Sequence, residues 1–126
     1  MVTVTKNIHT MKPYTKKQLI AAIEILIDEY SRGINKFNDC SLCQLVIHIK
    51  EEWEDHCEYC INNVFGIGAC MKRFKKYNPN RIQSLDAKFW TNAIKYIKAT
   101  PFSQILPMSE EVKSNLIRIA EESYKQ

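Results

Sequence analysis

The stretch TKKQLIAAIEILIDEYSRG, residues 15–33, decides the fold class. Thr15, followed three residues later by Gln18, forms a capping box just after Pro13. Leu19, Ile23, Leu26, Ile27 and Tyr30 then recur at the spacing of one helix face, and Gly33 supplies the stop. The spacing predicts a helix over 16–32 whose apolar stripe is broad enough to need a packing partner.

Similar signals recur downstream. Asp39 is an N-cap candidate ahead of Leu42, Leu45, Val46, Ile49 and Trp53, which again fit helical spacing. Ser84 or Asp86 opens a stretch with Phe89, Trp90, Ala93, Ile94 and Ile97 on one side, closed by Thr100 and Pro101. Pro107 and Ser109 introduce Glu110 and Glu111, acids suited to a helix N-terminus, before Val112, Leu116, Ile119 and Ala120. The β-branched run Val46-Ile47-His48-Ile49 is short and fits strand or helix. The expected architecture is mostly α: a single small domain of four to five helices carrying a cysteine metal knuckle. Residues 1–12 read as a loose basic arm and 13–126 as the domain, a size that supports a modest core.

An apolar fraction of 45% with 25% charged residues argues against wholesale disorder. No apolar run approaches a membrane span, so no membrane role is expected. The start carries Lys6, His9 and Lys12 without an apolar segment, which does not read as a secretory signal, and a cytoplasmic location follows. The net charge of +4 is mild, but it is laid out in blocks. Residues 51–58 hold Glu51, Glu52, Glu54, Asp55 and Glu58; residues 72–81 hold Lys72, Arg73, Lys75, Lys76 and Arg81 and no acid.

Four of the five cysteines fall as two C-x2-C pairs, Cys40 with Cys43 and Cys57 with Cys60; Cys70 follows ten residues later. In a reducing compartment this pattern reads as metal-binding before disulfide, with zinc the first expectation. A straight helix from Cys43 to Cys57 would hold the pairs about 20 Å apart, too far for one metal. A short helix over 42–50 with 51–56 doubling back reconciles them. The alternative is a local cluster of Cys57, Cys60 and Cys70 with His56 or another donor. An iron–sulfur cluster on four of the thiolates, and plain buried thiols, are the other readings. If the two pairs are the ligands, Cys70 is a spare thiol whose pKa Lys72 and Arg73 would lower.

Residues 40–73, with a C-x-L-C pair, a second C-x2-C followed by Ile61, a glycine-containing loop and a fifth cysteine, resemble the cysteine core of small phage- and prophage-encoded proteins. The resemblance covers about a quarter of the chain. It departs from the pattern in its long spacer and in lacking a proline after Cys60. It implies a zinc-bound core on Cys40, Cys43, Cys57, Cys60 and Cys70 and carries no established activity.

Nothing points to catalysis. His56-Cys57-Glu58 lacks the proline and the order of a zinc deaminase, and no P-loop, nucleophile elbow or H-E-x-x-H is present. Binding is better supported. Lys72, Arg73, Lys75, Lys76 and Arg81 interleave with Phe74 and Tyr77, a pattern in which cations meet phosphates and rings stack on unpaired bases. Such contact with nucleic acid would be salt-dependent and would read little sequence. The plainer reading is that Phe74 and Tyr77 anchor a loop while the lysines reach outward. The rival function is a protein-interaction factor that blocks or redirects a host protein, using the acidic and basic strips. Trp53 and Trp90 would be its anchors only if exposed, and both fit core stripes better.

Overall fold

The computed structural model describes residues 14–33, 41–46, 60–65 and 69–125. The expected arm at 1–12 lies outside them. The elements are α1 (Lys16–Ser31), α2 (Ser41–Val46), a 3-10 segment (Ile61–Phe65), α3 (Ala69–Tyr77), α4 (Gln83–Ala99), α5 (Phe102–Ile105) and α6 (Glu110–Ser123). The chain is mostly helical, and no strand occurs among the described residues.

The capping box of α1 is formed in both directions. The Gln18 amide N–H donates to Thr15 Oγ1 at 3.1 Å, and the Thr15 N–H donates to Gln18 Oε1 at 2.8 Å. The helix ends where Arg32 N–H reaches back to Asp28 and Glu29, and Gly33 takes φ +74°. Leu19, Ala22, Ile23 and Leu26 are buried on one face. That face packs mainly on α4, whose buried stripe is Phe89, Trp90, Ala93, Ile94 and Ile97. Helix α2 lies on α1, burying Leu42, and Ser41 Oγ donates to the Ala22 carbonyl. Lys16 closes the far end of this pair. Its Nζ donates to the carbonyls of Lys98 at 3.0 Å and Thr100 at 2.6 Å, a cation on the unsatisfied C-terminus of α4.

Helix α6 begins as its sequence suggests, with Ser109 accepting from the Val112 N–H. It buries Val112, Leu116 and Ala120, and packs on α4. Asn92 Nδ2 donates to Ser123 Oγ, and Asn115 Nδ2 to the Tyr96 hydroxyl.

The start of α4 departs from expectation. Neither Ser84 nor Asp86 caps it; the N-cap is Ile82, which has no side-chain cap bond. Asn78, 2% exposed, does the work instead. Its Nδ2 donates to the Ile82 carbonyl at 2.9 Å and its Oδ1 accepts the Ile82 N–H at 3.0 Å. Asp86 is thereby carried one turn inside the helix and buried. Trp90 is core, 1% exposed; Trp53 lies outside the described residues.

Candidate functional site

Helix α3 carries most of the residues the basic stretch singled out, and its phase sorts them into two sets. At 100° per residue, positions 73, 74 and 77 share one side and positions 71, 72, 75 and 76 the other. Arg73 and Phe74 are 1% and 3% exposed, Tyr77 is half-buried, and Met71, Lys72, Lys75 and Lys76 are exposed. Phe74 is thus packed inward, as the plainer reading expects, and Arg73, offered as a phosphate contact, is buried beside it. The segment is a helix, not a loop, and these two side chains point into the protein and are not at its surface.

Arg73 sits among rings. Its guanidinium carbon is 4.7 Å from the Phe74 ring centre, 5.1 Å from Trp90 and 5.4 Å from Phe89. Burial alone would lower its pKa, but the facing Tyr124, Tyr30 and Asp86 outweigh that and hold it above the ordinary value. Tyr124 donates to Asp86 Oδ1 at 2.7 Å. Burial, opposed by Arg73 and reinforced by Asp86, holds the Tyr124 phenol above its usual range. Asp86 Oδ2 is buried with no hydrogen-bond partner among the described residues, so the Arg73 charge is what balances it. Arg81, at φ +54°, lays its guanidinium 3.7 Å from the Phe74 ring centre.

An aromatic circuit links this core to the surface. Phe89 stacks on Tyr124 at 5.5 Å and Tyr124 on Tyr77 at 5.8 Å; Phe65 meets Tyr77 and Phe89 edge-on at 5.9 and 6.0 Å. Phe65 and Tyr77 then form part of a cleft of about 450 Å³, completed by Val64, Ile117, Lys72, Lys75 and Lys76. Lys76 Nζ stands 5.3 Å from the Tyr77 ring centre. The floor is apolar and aromatic and the rim is cationic. Among the described residues no carboxylate lines it.

Three of these lining residues escaped the sequence reading: Val64, Phe65 and Ile117. Ile117 carried a usable signal, since it is an apolar residue flanking the buried 112, 116, 120 stripe of α6 rather than lying on it.

The metal set falls largely outside the described residues. Cys40, Cys57 and His56 lie outside the described residues; Cys43 falls in α2 and Cys70 in α3. Among the described residues no three His, Cys, Asp or Glu side chains converge as a metal site. Cys60 is the one thiol with a described setting: half-buried against the apolar core, just before the 3-10 segment. Burial first, and then Cys60, hold the Tyr14 phenol above its ordinary range. No helix among the described residues is long and apolar enough to cross a membrane. No family model, curated protein or solved structure matches this chain.

Proposed function

We propose that the chain is a small cytoplasmic binding module, not an enzyme, that holds nucleic acid through the lysine face of α3 and is stapled by zinc on its cysteines. The observation that carries the reading is the cleft rim: Lys72, Lys75 and Lys76 stand together, exposed, with no acid among the described residues that line it. Ammonium groups on one helix face meet phosphates as point charges and release counterions, which gives affinity without sequence reading. Zinc would be held by a set drawn from Cys40, Cys43, Cys57, Cys60 and Cys70, of the phage-type pattern, and would supply a structural cross-link.

The test is fluorescence anisotropy of a labelled oligonucleotide at stepped salt. Three phosphate contacts predict a log–log slope of about −2 to −3. Lys72→Glu/Lys75→Glu/Lys76→Glu should lose at least about tenfold affinity and flatten the slope, with helicity unchanged by circular dichroism. Unaltered binding in the triple variant sinks the proposal. One observation favours the second reading, a factor that inhibits or redirects a host protein: Met71, 57% exposed, shares the lysine face. An apolar side chain there serves a protein partner better than a phosphate.

A further inference from the structure

Resting on that reading, we infer that the cleft between α3, the 3-10 segment and α6 seats one unpaired nucleotide, with its base on the apolar floor and its phosphates on the lysine rim. The module is then a binder of single strands, not of duplex.

The shape comes first. A duplex stacks its bases inside and offers grooves that receive a convex helix or ribbon. A concavity of about 450 Å³ with an apolar floor is filled by something that protrudes, and an unstacked base protrudes. The floor is aromatic and fixed. Tyr77 is stacked at 13° on Tyr124, which is stacked in turn on Phe89, and Phe65 is wedged against both Tyr77 and Phe89. Little rotamer freedom remains to be lost when a flat ligand arrives. Lys76 Nζ stands by the Tyr77 ring, so a cation waits beside the place a base would occupy.

The polar chemistry separates this occupant from an acidic peptide. The three rim ammoniums are donors only, and among the described residues that line the cleft the Tyr77 hydroxyl is the one side-chain acceptor. A peptide would bring backbone N–H groups that need acceptors on burial. A phosphodiester backbone presents acceptors only, which matches the three ammonium donors of the rim. Base edges with N–H groups can stay at the mouth, in water.

The experiment compares four probes on the wild-type full chain: an oligothymidine, the same length with every base removed, a mixed duplex of equal charge, and polyglutamate. The oligothymidine should bind at least about tenfold tighter than the abasic strand and the duplex, which is the size one stacked base supplies. Ile117→Gln, which makes that part of the floor polar without adding a charge or a ring, should reduce that advantage. Equal binding of intact and abasic strands overturns the inference while the lysine reading survives. Polyglutamate matching the oligothymidine overturns it in favour of an acidic protein. Absence of binding to every oligonucleotide overturns it together with the proposed function.

Discussion

Arg73 is a cation that the protein treats as a core residue. Lysine could not replace it: a guanidinium is planar, weakly hydrated and stacks on rings, whereas an ammonium is a strongly hydrated point charge. Its ring contacts, and the Asp86 oxygen that its loss would leave unbalanced, give its removal two costs at once. Arg73→Ala is expected to destabilise the fold by about 3–5 kcal/mol in urea denaturation, with a loss near zero counting against the buried cluster. Tyr124→Phe leaves Asp86 Oδ1 without its donor and should cost about 1–3 kcal/mol. It should also change the alkaline limb. The Tyr124 pKa is raised on folding, so its contribution is full below the unfolded value of about 10 and is lost as pH rises beyond it. Urea midpoints at pH 8 and pH 10.5 should therefore converge more in the phenylalanine variant than in wild type. None of this was legible in the sequence, because composition counts five cations in 72–81 and says nothing of helical phase. With only Phe74 and Tyr77 as apolar markers, the run shows no stripe from which the inward side of α3 could be read.

At the scale of elements, legibility followed the caps. Helices α1 and α6 announce themselves through Thr15, Gln18 and Ser109, each followed by apolar residues at helical spacing, and both fold accordingly. Helix α4 was found but its start was misplaced, since the group that holds it belongs to Asn78, outside the helix. Asn78→Ala removes both bonds to Ile82 and should cost about 1–3 kcal/mol; a shifted amide exchange pattern over 82–86 would tie the loss to this turn. The same turn holds Arg81 over Phe74, so its loosening should also be felt in α3. The cleft was half legible: the sequence marks its lysines and Tyr77, while Val64, Phe65 and Ile117 arrive from two other elements through packing alone.

For the whole molecule, the open chemical question is the staple. Elemental analysis should return about one zinc per chain, and chelation should lower the thermal midpoint and release thiols to titration; a metal-free protein with all five thiols reactive would refute it. The spacing of the cysteines was readable, whereas their convergence is a tertiary property that a spacing rule leaves open between two ligand sets. The pairing of α1 with α4 has a different consequence, one of timing. On the ribosome α1 is complete roughly fifty residues before α4 begins to appear, a wait of roughly 3–10 s at ordinary elongation speeds. Through that interval Leu19, Ile23 and Leu26 lack the surface they finally pack on. The order of synthesis and the order of folding cannot coincide, and the nascent chain presents a sticky amphipathic helix that a chaperone able to grip apolar helices would recognise.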